Sequence, residues 1–310
     1  MLQRILLGPQ LPTPNLATAI DTAHIPDGPI AVITAAWQEA EADTEELQQQ
    51  LQRPIVSLDL YQRAEAIFAD DEKLRTAYRA RQDQLQELQQ LYRTRLRQSM
   101  IAARKMRRIE GSSPLLAIER QHATEQLRDL DAHHSSRIQA IFDEYAHEII
   151  ESSSALLKQH RDEIENAMAG CSTVLITGGN VLVLLNRLQL FEMQSHLASR
   201  HLVAWSAGAM VLSDTIVLYH DRTPLGRRDP EVLGPGLGII PNLIFLPDAK
   251  KRLQDKDRAR VGIFSDRFAP GDCITLNNGS LFHFDEKNVH RVENAHRLSS
   301  EGDIQELHTT

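Results

Sequence analysis

The run His201-Leu-Val-Ala-Trp-Ser-Ala-Gly-Ala-Met210 sets one serine among small residues at the end of an apolar segment. Ala204, Ala207, Gly208 and Ala209 crowd around Ser206, as a sharp strand-to-helix turn requires, because the backbone there passes close to itself. A serine at such a turn is exposed at a helix N-terminus, where free N–H groups and the helix dipole favour negative charge near its Oγ. The chemistry served is nucleophilic attack on a carbonyl carbon. Upstream, Thr173-Val-Leu-Ile-Thr177 is a β-branched strand ending in Gly178-Gly179-Asn180, ahead of an amphipathic helix with Val181, Leu184, Leu185 and Leu188. Two neighbouring parallel strands that end in these motifs open into one crevice. The backbone at Gly178 and Gly179 and the N–H of Ala207 then supply oxyanion donors toward Ser206.

Positioning these groups requires a sheet, and the chain carries its strands. Residues 4–8, 29–35 and 54–60 are β-rich, and 37–51 is an acidic, Gln-rich helical pattern. Alternation of strand and helix predicts a doubly wound, mostly parallel α/β sheet. Further strands are predicted at 215–219, 261–264, 273–276 and 280–284, with a turn at Asn277-Asn-Gly279 and a loose polar tail from Ser299. A segment leading out of Gly234-Pro-Gly-Leu-Gly-Ile-Ile-Pro241 gives one more strand.

The sheet domain is discontinuous, with residues 1–65 and 170–310 separated by an insertion at 66–169 that is almost free of Gly and Pro. Leu85, Leu88, Leu91, Tyr92, Leu96, Met100 and Met106 recur at helical steps, Glu110-Gly-Ser-Ser-Pro114 breaks the pattern, and Leu116 through Leu156 resume it. The pattern predicts an antiparallel coiled-coil hairpin projecting from the domain, each arm about 60 Å long at 1.5 Å per residue. The first arm ends in a basic run (Arg93, Arg95, Arg97, Arg104, Lys105, Arg107, Arg108), and the second is acidic, so the arms are expected to offset each other. The hairpin is also the expected surface for a protein partner or for self-association as a homodimer. No aromatic residues interleave with the basic run, so nucleic acid is not expected.

Composition narrows the classes further. The 310-residue chain is 42% hydrophobic and carries a net charge of −8, which gives no global attraction to nucleic acid or anionic membrane. Neither a signal peptide nor a run of 18 apolar residues is present, so a cytoplasmic protein is expected. Cys171 and Cys273 read as free buried thiols. No His/Asp/Glu cluster has metal-ligand spacing, and no Gly-x-Gly-x-x-Gly follows Gly178-Gly179, so neither a metal nor another cofactor is expected.

Three motifs taken in order, Thr177-Gly-Gly-Asn180, Trp205-Ser-Ala-Gly-Ala209 and Gly236-Leu-Gly-Ile-Ile-Pro241, resemble the peptidase E and cyanophycinase family of serine peptidases. That resemblance implies a flavodoxin-like fold similar to class I glutamine amidotransferases, although a glutamine amidotransferase proper would place cysteine where Ser206 stands. It further implies Ser206 as nucleophile, Asp221 as the acid in the loop after the next strand, and a histidine beyond. The sequence departs from the family there. The strand ends Phe245-Leu-Pro-Asp-Ala249, so Pro247 or Asp248 occupies the histidine's place, and Gly262-Ile-Phe-Ser-Asp266 stands where Gly-Ile-Asp-Glu is typical. Aspartate with a free pKa near 3.9 is a poor acceptor for a serine proton.

His220, next to Asp221, is the best-placed alternative base. His196 and His201 flank the amino end of the elbow strand, His283 alternates with Phe282 and Phe284, and His133 and His134 lie in the insertion. Gly178, Gly179, Asn180, Ala207 and Asp248 complete the expected oxyanion and substrate-binding set. Two functions stay open: a serine hydrolase acting on a peptide or isopeptide-like amide, or an inactive peptidase-fold scaffold working through its helical arm.

Overall fold

The computed structural model describes residues 1–151, 155–219, 229–253 and 256–307, with backbone only over 147–151. The first half-sheet runs β1 (Arg4–Leu7), α1 (Leu16–Thr22), β2 (Ile30–Ile33), a 3₁₀ segment (Ala35–Ala40), α2 (Glu45–Leu51), β3 (Ile55–Ser57) and α3 (Leu60–Asp70). Three helices follow, α4 (Glu72–Arg108), α5 (Pro114–Glu151) and α6 (Ala155–Met168). The chain then returns to the sheet through β4 (Thr173–Ile176), α7 (Val181–Leu190), α8 (Gln194–Ala198), β5 (His201–Trp205) and α9 (Ala207–Val211). It continues as β6 (Thr215–Leu218), β7 (Glu231–Pro235), β8 (Leu243–Pro247), α10 (Ala249–Arg252) and α11 (Arg258–Phe268). The last described strands are β9 (Asp272–Phe284), β10 (Val289–Leu298) and β11 (Ile304–Glu306).

The main sheet has the order β11-β10-β9-β1-β5-β4-β2-β3, and β8 pairs with β9. Strands β1, β5, β4, β2 and β3 are mutually parallel. Helices cover both faces of this part, which is why β2 and β4 are wholly buried and read as unbroken apolar runs rather than alternating ones.

Several local expectations are corrected. Residues 37–51 do not form one helix: the 3₁₀ segment is kinked at Gln38 (φ 59°, ψ −122°), and a new helix starts only at Glu45. Residues 261–264 are helical, inside α11, whose first turn is capped by the Asp257 carboxylate accepting from the Arg260 N–H at 3.2 Å. Asn277-Asn-Gly279 does not close a hairpin. It is an irregularity within the single long strand β9, held by Ser280 Oγ, which accepts from Asn277 N–H at 2.8 Å. The tail beyond Ser299 contributes β11, paired to β10.

The insertion is a helical hairpin, as expected, with α4 and α5 antiparallel. Gln84 meets Tyr145, Tyr92 meets Asp131 and Arg120 meets Met106, so contacts fall as the first number rises. The described part of the hairpin lies along the sheet domain instead of projecting from it, and four cations of the basic run pair with acids of that domain instead of the other arm. Arg93 pairs with Glu231, Arg104 with Asp229, Arg107 with Asp266 and Arg108 with Asp257.

A buried polar knot fixes the docking. Arg267 of α11, 3% exposed, donates from Nε and Nη2 to the Asp131 carboxylate at 2.6 Å each and from Nη1 to Pro230 O at 2.6 Å. Tyr92 donates to Asp131 at 2.7 Å and stacks on His134, ring centroids 3.9 Å apart. Burial holds the His134 pKa down at about 4, so the ring is neutral, and it shares a 2.9 Å hydrogen bond with Gln89.

Candidate active site

Strand β5 carries Ser206 to the carboxyl edge of the sheet between β1 and β4. Ser206 takes φ 50° and ψ −115°, a region that L-residues occupy only when the surroundings force it. Its N–H donates to Leu7 O at 3.3 Å and its carbonyl accepts from Met210 N–H at 3.1 Å, so neighbouring strand and following helix both pin the turn. The small residues are required by contact. A Cβ on Gly208 would lie 2.3 Å from Ile176 O, and one on Gly178 would lie 2.9 Å from Ser206 Cβ. Helix α9 is only five residues long, so local N–H groups count for more here than a summed dipole.

The Gly-Gly motif packs against the first half-sheet. Gly179 has φ +136°, and a Cβ there would sit 2.5 Å from Ala36 O. The N–H of Asn180 donates to the same carbonyl at 3.0 Å, and its Oδ1 accepts from Leu182 and Val183 N–H, so Asn180 serves as the cap of α7. Its side chain is thereby occupied in structure, whereas Ala207 at the first helical position has no intrahelical acceptor for its N–H. The 3₁₀ segment is anchored in turn: Thr34 donates to Glu41 O, and the buried Glu41 carboxylate accepts from Tyr61 and Gln62 N–H at the start of α3. Burial raises the Glu41 pKa. Trp37 is thus set in place beside the Gly-Gly turn.

A cleft of about 380 Å³ opens over Ser206, floored by Gly178, Gly179 and Trp205 and walled by residues 9–11 and Trp37. Asp43, Glu46, Leu47 and Gln50 close its far side. These four were not singled out in the sequence, where they look like part of a solvated acidic helix. Their one signal is Thr44-Glu45-Glu46, an N-terminal helix pattern soon after the strand predicted at 29–35.

No described histidine lines this cleft. His201 lies at the opposite end of β5, where its Nδ1 accepts from Gln3 N–H at 3.1 Å. His283 bonds Gln3 at 2.6 Å, and burial lowers its pKa to about 4. His134 belongs to the arm's knot and His196 to α8. His220 and Asp221 lie outside the described residues. Asp248 does reach the carboxyl edge of the sheet: its N–H donates to Leu276 O at 2.8 Å, and the adjoining Asn277 carbonyl packs on Gly8, which follows β1. It adopts φ 59°, and its carboxylate faces Lys251 at 3.5 Å and Arg252 at 4.0 Å.

Among the described residues no group of His, Cys, Asp or Glu side chains is placed to hold a metal ion, and no helix is long and apolar enough to cross a membrane. Cys171 and Cys273 are free and buried.

A parallel α/β sheet with a strained serine elbow facing a glycine turn defines a serine-hydrolase type of architecture. The chain belongs to peptidase family S51, whose model matches residues 130–292. At family level it is therefore a serine-peptidase-like hydrolase. Among solved structures, a peptidase from an acI-B1 Actinobacterium is similar at 14% identity, covering 97% of this chain and 91% of that one, with a TM-score of 0.44. No curated protein matches the chain.

Proposed function

We propose that the protein hydrolyses an amide bond of a short peptide or isopeptide-like substrate, with Ser206 as nucleophile. The observation that carries this reading is the backbone of Ser206, held at φ 50° by contacts that leave no room for larger neighbours. Such strain costs on the order of 1–3 kcal/mol and is retained where the exposed side chain is used. In this reading the carbonyl carbon is attacked by Ser206 Oγ, and the N–H groups of Gly179 and Ala207 receive the developing oxyanion. Asp43 and Glu46, in a cleft whose described lining holds no Lys, Arg or His, face a positively charged group of the substrate such as a free amine. His220 takes the serine proton and Asp221 orients it.

The competing reading is a peptidase-fold protein without hydrolytic activity, acting through its helical arm or as a homodimer. It is favoured by the lack of any described imidazole in the cleft. Intact-mass labelling with a fluorophosphonate separates the two. The first reading expects one adduct on the wild type, none on Ser206→Ala, and labelling slowed about 10²–10⁴-fold in His220→Ala. A folded wild-type protein that takes no adduct would sink it.

A further inference from the structure

We infer that Trp205 is a specificity residue of the Ser206 cleft: its indole N–H donates to an amide carbonyl of the substrate, one residue before the bond that Ser206 attacks. The inference rests on the reading of Ser206 as nucleophile, and it adds the peptide backbone as a group the cleft recognises. Trp205 is 8% exposed and packs with Leu47 and Leu51 of α2 on one face of the sheet. Its ring nevertheless lines the cleft beside Ser206. A Cβ on Gly178 would lie 2.8 Å from Trp205 Cδ1 and 2.9 Å from both Trp205 Nε1 and Ser206 Cβ. The lack of a side chain at 178 thus leaves the Cδ1–Nε1 edge of the indole uncovered, next to the carbon that carries the nucleophile.

An indole nitrogen is a donor only, and a buried one ordinarily has an acceptor. This N–H has none among the described residues, yet it is not sealed from solvent. The other side-chain donors of the cleft are served. Gln10 gives its amide to Gly8 O at 3.1 Å and Asn15 Oδ1 at 2.9 Å, and Gln50 gives its amide to Glu46 at 3.3 Å. Trp37 is part-exposed, where water can meet its N–H.

The charge of the cleft selects the acceptor. Asp43 and Glu46 line the same cleft and disfavour a carboxylate there, whereas a neutral carbonyl oxygen meets no repulsion. A peptide carries such an oxygen on the residue that precedes the scissile one. A simple alkyl amide or ester does not, and it leaves the indole N–H unmet.

The test measures kcat/KM of the full chain on two activated esters, with Ser206→Ala as the background. N-acetyl-L-alanine p-nitrophenyl ester carries an amide carbonyl beside the reacting one, and p-nitrophenyl propionate lacks it. Hydrolysis of both is expected to depend on Ser206. The ratio of the two values is expected to fall at least about threefold in Trp205→Phe, which keeps a ring and removes the N–H. A smaller fall overturns the inference and leaves the nucleophile in place. Hydrolysis of neither ester above the Ser206→Ala background sinks the nucleophile reading and the inference with it. If Trp205→Phe does not fold, Trp37→Phe serves, because it leaves Trp205 as the sole indole of a chain with 2 tryptophans. Its ultraviolet resonance Raman band for N–H hydrogen bonding is expected to shift to the bonded position with N-acetyl-L-alaninal on the serine, and not with propionaldehyde. The same band position with both aldehydes overturns the inference equally.

Discussion

Asp131→Ala tests whether the helical arm is held by the buried knot. The substitution removes both oxygens that accept from Arg267, at 2.6 Å each, together with the acceptor of the Tyr92 hydroxyl. Arg267 is left 3% exposed with its charge unmet, since its other partners, Pro230 O and the Tyr92 hydroxyl, are neutral. Removing one member of such a pair costs about 3–5 kcal/mol, most of it the stranded cation. For 310 residues at about 2.1 cal/mol/K each, that lowers Tm by roughly 5–8 °C if unfolding is cooperative. Urea unfolding followed by circular dichroism reads the free energy directly. Arg291→Ala, which breaks an exposed pair with Glu293, is the control and should move stability by less than about 1 kcal/mol. An Asp131→Ala protein within about 1 kcal/mol of wild type would refute the reasoning, because a buried uncompensated guanidinium cannot be that cheap.

Three further outcomes are expected. His134 is neutral in the fold with a pKa of about 4, against about 6.5 when unfolded, so its contribution is complete above pH 6.5. It is lost as pH falls from 6.5 toward 4, an effect on the order of 2–3 kcal/mol, and urea midpoints across that range should fall less steeply in His134→Gln. Ser206→Gly relieves a φ of 50° and should raise stability by up to about 1 kcal/mol while abolishing fluorophosphonate labelling, measured on the same preparation. Gly208→Val forces a Cβ to within 2.3 Å of Ile176 O and should cost more than about 2 kcal/mol in thermal unfolding.

The elbow was legible because its requirement is local: Ala204, Ala207 and Gly208 are small for reasons that a ten-residue window contains. Strand β4 and the glycine turn were legible for the same reason. The misreadings share a cause as well. Val261-Gly-Ile-Phe264 is too short an apolar run to distinguish strand from helix, and the deciding facts were the Asp257 cap and the buried arginines Arg260 and Arg267 on one helical face. Docking of the arm was invisible because its acids are remote in sequence, Asp229, Asp257 and Asp266 lying 125 to 159 positions from their arginines. Asp43 and Glu46 belong to the cleft only because the kink at Gln38 redirects the chain, and nothing in the residue types around Gln38 announces a positive φ.

The placement of β1 has a consequence for how the protein is made. This early strand lies between β5 and β9, with Arg4 opposite Leu202 on one side and Phe284 on the other. At ribosomal rates of about 5–20 residues per second, its second partner emerges roughly 15–55 s after it does. The α4–α5 hairpin, whose contacts are nearer in sequence, can close long before that, so the nascent chain passes through a stage with a formed arm and an unpaired apolar strand. During that interval β1 is a site for chaperone capture or for pairing with a neighbouring chain.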